Sequence, residues 1–274
     1  MSGVQVRHMA IFLILISYWN AWAQPGGDTK PVRHHFRRGE QLEFKLSYGW
    51  FTVGKADVKI DPEYHTYEKK ECFKVDVTGV TAGLIGLFTN VNDSWGAYVT
   101  KDHLTPLHAY RDIQEGKHVR VERTYFNHEE GKVTVHRYDP RKEHKDKPPR
   151  IYDAPRGVKD LMSAYLYLRN IDFSKYSSGD TITIDTFYED ELYHFKLLLD
   201  ETEMYDSRVG EIRAHKLYLL IPPSDLFPKE KGIMAWVSAD PNHLPLRIEA
   251  EMFFGRAYCD LISYRNIKYG PDYQ

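Results

Sequence analysis

Apolar and polar residues alternate along most of the chain from residue 39 onward. Leu42, Phe44, Leu46, Tyr48 and Trp50 share one parity, and the positions between them are mostly polar or charged. A period of two puts successive side chains on opposite faces of a strand, so this stretch is predicted as a half-buried strand. Similar runs predict further strands near residues 54–60, 73–77, 91–100, 107–115, 117–127, 132–138, 180–188, 192–203, 209–221, 232–239, 244–254 and 256–268.

One segment follows a helical period instead. Asp160 is a suitable N-cap with Ser163 three residues later, and the helix is expected at about 158–170. Its apolar stripe is expected to pack on the sheet and consists of Val158, Leu161, Met162, Tyr165 and Leu168. Residues 139–157 are charged and rich in proline, which predicts an exposed loop. Residues 81–90 are apolar but broken by glycine, which is compatible with a short helix or a mobile flap.

These elements predict a single all-β domain over residues 39–268, followed by a tail at 269–274. Its strands are expected to be mostly antiparallel and to form one highly curved sheet, an open or half barrel. The helix crosses over between the two β halves and packs on the concave face. No internal sequence repeat relates the two halves.

The first residues have the layout of an export signal. Arg7 and His8 precede a short apolar run, and Ala21-Trp22-Ala23 matches a signal-peptidase site. We therefore expect a signal peptide at 1–23, a flexible arm at 24–38, and a protein that is soluble in the periplasm or outer envelope. The apolar run is shorter than the roughly 20 residues that span a bilayer, and no later segment is apolar enough to do so.

Charge and cysteine content limit the possible partners and the possible disulfide bonds. The net charge of −2 argues against a nucleic-acid partner, because phosphate binding requires clustered positive charge. Cys72 and Cys259 lie in predicted strands near the two ends of the domain. In an exported protein they allow a disulfide, although two separate, half-buried thiols are the simpler interpretation.

The chain contains no standard catalytic motif, so it is predicted to be a non-enzyme that uses no cofactor. No metal site is predicted either, because His34, His35 and His144 lie in polar tracts typical of solvated surface. A run of basic residues is interleaved with Glu115 and Glu122, and cross-strand ion pairing explains it better than an anion groove. The basic residues are Arg111, Lys117, Arg120 and Arg123.

The most promising residues for binding are large and apolar. Ligand cavities are mostly apolar with a few polar groups, which makes aromatic residues near strand ends candidates for their lining. Core packing is the alternative explanation, above all for the tryptophans. The candidates for lining a cavity are Tyr48, Trp50, Trp95, Tyr165, Trp236 and Leu246.

Three stretches together resemble one bacterial exported family. They are the segment from Gly39 to Gly49, the helical segment from Asp160 to Arg169, and Ala235–Asp240 running into Leu244–Arg247. The family is domain-of-unknown-function family 3108, and the resemblance covers about residues 39–268. It implies a β-rich periplasmic or envelope protein and brings no established activity or catalytic residues. The Leu-Pro-Leu-Arg hairpin is also similar, more weakly, to the LolA/LolB-type lipoprotein-carrier fold, in which an unclosed barrel with helical plugs holds acyl chains.

The leading functional hypothesis is a non-catalytic envelope protein that binds a lipid, lipoprotein or other amphipathic ligand inside the curved sheet. The second is a structural or protein-interaction module of the envelope without a small ligand. That module is expected to have a filled interior and an exposed apolar patch or a free sheet edge. The third is a hydrolase of envelope polymers, which requires converging catalytic groups in a cleft.

Overall fold

The computed structural model describes residues 34–81, 92–116, 118–142, 148–222 and 227–270. The predicted signal peptide, its cleavage site and most of the predicted arm lie outside these residues. So does nearly all of the apolar segment 81–90, apart from Thr81, which ends a strand.

The described residues contain fifteen strands and one α-helix. The helix, α1, spans Leu161–Leu168, and a short 3-10 turn follows at Phe173–Lys175. The strands are β1 Gln41–Tyr48, β2 Phe51–Ile60, β3 His65–Tyr67, β4 Lys70–Thr81, β5 Asn92–Thr100, β6 Pro106–Glu115, β7 His118–Asn127, β8 Lys132–Tyr138, β9 Arg150–Asp153, β10 Thr181–Tyr188, β11 Glu191–Ser207, β12 Gly210–Leu220, β13 Ile233–Ser238, β14 Pro245–Met252 and β15 Gly255–Arg265.

All strands belong to one antiparallel sheet. Its order is β10-β11-β12-β13-β14-β15-β1-β2-β4-β5-β6-β7-β8-β9, with β3 added beside β4. The central pairing of β1 with β15 joins the two halves of the chain. The sheet ends in β9 and β10, which do not pair with each other, so it forms an open barrel. The predicted fold class is confirmed.

Helix α1 lies inside the curve of the sheet and fills it. Its residues enter three separate core clusters: Leu166 packs beside Phe36 and Val75, Tyr165 beside Leu246, and Ala164 beside Leu197. Asp160 caps the helix as predicted, because its carboxylate accepts from the backbone N–H groups of Met162 and Ser163. The concave face is therefore a packed core built around the helix.

The segment before the helix spans the gap between the two edge strands. Lys159 pairs with Thr186 of β10 in an isolated parallel bridge. Its ammonium group donates to the carbonyl of Leu104 at 2.7 Å, and burial lowers the pKa of Lys159 to about 8. Nearby, the ring of Tyr152 on β9 meets that of Phe187 on β10, with centroids 5.3 Å apart. Side chains and one short bridge therefore complete the barrel where the hydrogen-bonded ladder stops.

A β-bulge interrupts the pairing of β1 with β2 near the end of β1. Leu46 is opposite Gly54, but Ser47 is opposite Thr52, so β2 contributes one extra residue. Beyond this point Ser47 is buried, whereas Tyr48 is 38% exposed and Trp50 is 87% exposed. The predicted burial is correct for Leu42 and Phe44 and wrong for Tyr48 and Trp50, because β1 ends at Tyr48 and Trp50 lies in the turn that follows, beyond the residues that cover the core.

Three smaller expectations also need correction. The segment 139–157 contains β9, which pairs with β8, so it is not a loop throughout. The helix is shorter than residues 158–170, because Lys159 is held in extended conformation by β10. The arm predicted at 24–38 is ordered in its last residues: Phe36 is 1% exposed within the first core cluster, and His34 packs edge-on against Phe73. Here, buried aromatic contacts outweigh the polar composition.

The two cysteines are both free. Cys72 is buried in β4 next to β5, and Cys259 lies in β15 between β1 and β14. Burial raises the pKa of Cys72 to about 11 and that of Cys259 to about 12. Two separate thiols are therefore present, and both are held in the protonated, unreactive form at neutral pH.

Candidate functional site

Large aromatic side chains are exposed where two neighbouring hairpins end. Trp50 lies in the turn after β1 and Phe51 is the first residue of β2, and they are 87% and 57% exposed. Phe253 and Phe254 form the turn after β14, and they are 63% and 80% exposed. Tyr48 completes the group, which we call the aromatic end. Soluble proteins rarely place large apolar side chains together in solvent unless the surface is used.

The backbone holds the two hairpins side by side. β1 pairs with β15, so the turn after β1 lies beside the turn before β15. The N–H of Gly49 donates to the carbonyl of Arg256 at 2.8 Å and links the two turns directly. Gly49 and Gly255 both have positive φ, of 55° and 104°, which glycine adopts without steric cost. The tight turns therefore present the aromatic rings at the tips of the hairpins.

Basic side chains surround the base of these hairpins. Lys45 and Lys55 lie directly opposite each other on β1 and β2. Lys231 is exposed and adjoins Gly232, whose carbonyl accepts from the N–H of Glu251 at the end of β14. Two further cations bind acidic neighbours: Lys229 binds Glu251 at 2.7 Å and Arg256 binds Glu249 at 3.1 Å. We call the five residues Lys45, Lys55, Lys229, Lys231 and Arg256 the basic collar.

A second feature is a cleft inside the sheet. Its lining includes Trp95 of β5, Phe187 of β10 and Met162 of the helix. The cleft holds about 40 Å³. Binding pockets for small molecules are typically ~300–1,000 Å³, so this space suits a few atoms and not an acyl chain. Two buried N–H groups at the cleft have no hydrogen-bond partner in the described protein, namely Nε1 of Trp95 and Nε of Arg111.

Charged residues close the cleft on the side of the β10–β11 turn. Arg111 donates to Glu189 of that turn at 2.6 Å and to Glu122 of β7 at 3.3 Å. Arg120 also binds Glu189, at 2.8 Å. Burial opposes ionisation of Glu189, but the charges of Arg111 and Arg120 outweigh it and lower its pKa to about 2. The cross-strand pairing predicted for Arg111 is confirmed, and its guanidinium is already engaged by carboxylates.

The six predicted lining residues lie in three places. Trp95 lines the cleft. Tyr48 and Trp50 belong to the aromatic end. Tyr165, Trp236 and Leu246 belong to the second core cluster. Trp236 also stacks on Tyr205 with ring centroids 4.9 Å apart, and its Nε1 donates to Glu203 at 2.6 Å. The structure does not bring these six residues together.

Sequence reasoning missed three members of the aromatic end: Phe51, Phe253 and Phe254. The signal was present, because Phe253-Phe254-Gly255 places two large apolar residues where a turn normally carries polar ones.

Within the described residues, no group of three or more His, Cys, Asp or Glu side chains could hold a metal ion. His35 is stacked on His243 with ring centroids 4.6 Å apart, and His144 lies outside the described residues.

At the opposite end of the barrel, three segments that are distant in sequence meet around one buried ion pair. The two terminal guanidinium nitrogens of Arg169, Nη1 and Nη2, donate to the carboxylate of Glu40 at 2.5 and 3.2 Å. These side chains are 2% and 1% exposed. Nε of Arg169 donates to the carbonyl of Asn242 at 2.8 Å, and Tyr165 receives a further hydrogen bond at 2.9 Å. This buried network therefore joins the start of β1, the end of α1 and the β13–β14 turn.

Fold and site together define a class: a β-barrel-like protein with a helix filling its interior and aromatic residues exposed at one end. The model of the family described as Protein of unknown function (DUF3108) matches residues 43–261, so the chain belongs to that family. No curated protein matches the chain. The family description names no catalytic activity.

Solved structures give a likeness in fold. A β-barrel-like protein of domain of unknown function DUF1849 from Brucella abortus has 9% identity and a TM-score of 0.56, covering 86% of this chain and all of that one. An exported protein with a YmcC-like fold from Bacteroides fragilis has 10% identity and a TM-score of 0.33, covering 86% and 99%. A lipoprotein from Parabacteroides distasonis has 14% identity and a TM-score of 0.32, covering 85% and 98%. The last two scores are too low to carry an argument.

Proposed function

We propose that this chain is a non-catalytic protein of the bacterial cell envelope that acts by docking its aromatic end onto a partner surface. The observation that carries the proposal is the exposure of four aromatic rings on two adjoining hairpin tips. The packed interior supports the same interpretation, because helix α1 packs into three core clusters on the concave face and the cleft beside it holds about 40 Å³, too little for an acyl chain. Export is supported by the N-terminal sequence. In the described part of the chain, no helix is long and apolar enough to span a membrane.

The test is retention of the exported protein on washed cell envelopes. We expect the wild-type chain to sediment with the envelope and the W50S/F51S variant to be released several-fold more into the soluble fraction. The I151S/M204S variant is the matched control, because it also removes two exposed apolar side chains, 65% and 44% exposed, away from the aromatic end. Equal release of both variants, or no retention of the wild type, would contradict the proposal.

A ligand inside the sheet is the second candidate function, and one observation favours it. The N–H groups at Nε1 of Trp95 and Nε of Arg111 are buried at the cleft without a protein acceptor. A small oxygen-bearing group, such as the head of an amphipathic ligand, would satisfy them. Native mass spectrometry of protein purified from envelopes should then show an added mass that the W95F variant loses. The bare protein mass in the wild type would rule this candidate out.

A further inference from the structure

We propose that the surface contacted by the aromatic end is an anionic phospholipid bilayer, into whose interfacial region the hairpin tips insert. This inference rests on the proposed function and names its partner. The rings of each hairpin tip contact one another: Trp50 with Phe51 at 5.7 Å between centroids, and Phe253 with Phe254 at 4.7 Å.

The residue types suit the boundary between water and lipid. Tryptophan and tyrosine are enriched at this boundary, since their rings are apolar and carry one polar group. Trp50 and Tyr48 are of this kind, and the phenylalanines at the tips are fully apolar. Four rings on two narrow turns can enter the headgroup layer to a shallow depth without burying any strand backbone. Such anchoring leaves the hydrogen-bonded sheet outside the hydrocarbon, where its polar edges remain hydrated.

The charge around the tips favours anionic lipid. The basic collar supplies five cations, and the acidic residues among them are Glu230, Glu249, Glu251 and Asp260, which lies opposite Lys45 and binds Arg247 at 2.7 Å. Two of these carboxylates are already bound by Lys229 and Arg256. Lys45 lies between Lys55 on β2 and Asp260 on β15, and a negative surface would relieve the repulsion between the two lysines. The collar is therefore positive although the whole chain has a net charge of −2. Basic residues close to an anionic membrane strengthen attachment in this way.

The experiment is cosedimentation of the exported, processed protein with large unilamellar vesicles. One set contains equal phosphatidylcholine and phosphatidylglycerol, and the other contains phosphatidylcholine alone. We expect binding to the anionic vesicles, weaker binding to the neutral ones, and a reduction by salt. The F253S/F254S variant should bind on the order of tenfold more weakly for each ring removed. The I151S/M204S control should bind like the wild type.

The possible outcomes distinguish failure of the bilayer proposal from failure of the proposed docking function. No vesicle binding by the wild type, or equal binding by the F253S/F254S variant, overturns the bilayer proposal. If the protein is then still retained on envelopes through its aromatic end, docking onto a partner protein replaces the bilayer and the proposed function stands. Association of two copies through the same residues, detected by sedimentation velocity, would also overturn the bilayer proposal. If envelope retention does not depend on the aromatic end either, both proposals fail.

Discussion

Replacing Arg169 by methionine should destabilise the protein by about 3–5 kcal/mol. The substitution leaves the carboxylate of Glu40 buried without its counter-ion, at 1% exposure. It also removes the donors to Asn242 and Tyr165, so one change weakens the connection between β1, α1 and the β13–β14 turn. Breaking one side of a buried pair is costly because the remaining charge cannot regain its hydration.

Urea unfolding at neutral pH measures this effect, through the midpoint and the free energy of unfolding. The matched control is R265M, which breaks the pair between Arg265 and Glu43 on the same sheet. Those side chains are 66% and 37% exposed, so the control should lose no more than about 1 kcal/mol. Similar losses for R169M and R265M would show that burial of the Glu40 pair is not decisive.

Stability should also fall as the pH is lowered from about 6.5 toward 4. Burial, together with the charge of Arg123, lowers the pKa of His108 to about 4, and burial with neighbouring His35 lowers that of His243 to about 4. Below pH 6.5 the unfolded chain binds protons that the folded chain excludes, so unfolding becomes more favourable. The stability that each buried neutral ring contributes is fully present above the pKa of histidine in the unfolded chain and is lost by about pH 4. It amounts to roughly 1.4 kcal/mol of unfolding free energy per unit of pKa shift for each ring.

The H108F variant tests the origin of this dependence. His108 is stacked between Tyr98 and Tyr125, at 5.8 and 4.7 Å between ring centroids, and neither of its ring nitrogens has a partner in the described protein. Phenylalanine keeps the stacking and removes the buried titrating group. We expect H108F to be at least as stable as the wild type at pH 7 and to lose less stability on acidification.

The control is H136F, which replaces an exposed ring at the end of the same aromatic row. Its stability should decline with acid as the wild type does. Unfolding midpoints in urea at several pH values between 7 and 4 give the comparison. An acid dependence in H108F as steep as that of the wild type would assign the effect to other groups.

Local sequence signals were sufficient for most of the secondary structure. The period of two along β1 and the capping pair Asp160–Ser163 predicted their elements, because both depend on contacts within a few residues. β9 was missed because its four residues lie in a charged, proline-rich segment and pair only through tertiary contact with β8. The bulge beside Leu46 was missed because it depends on how two strands pair.

The candidate site was predicted only in part. Trp50 and Tyr48 were selected for their residue type, but their predicted direction was inward. Their position at one exposed end depends on where β1 ends and on the pairing of β1 with β15, whose residues are about 200 positions apart in sequence. The same pairing brings Phe253 and Phe254 beside Trp50. No local sequence pattern predicts that these residues lie close together.

The sequence by itself determined the antiparallel strands, the single capped helix and the family. These follow from residue periodicity, cap chemistry and motifs, all of which are local properties. Tertiary structure alone decided that the helix fills the concave face, that Glu40 and Arg169 form a buried pair, and that the aromatic residues gather at one end. Each of these depends on long-range pairing and on exclusion of water, which emerge only when the whole sheet has formed.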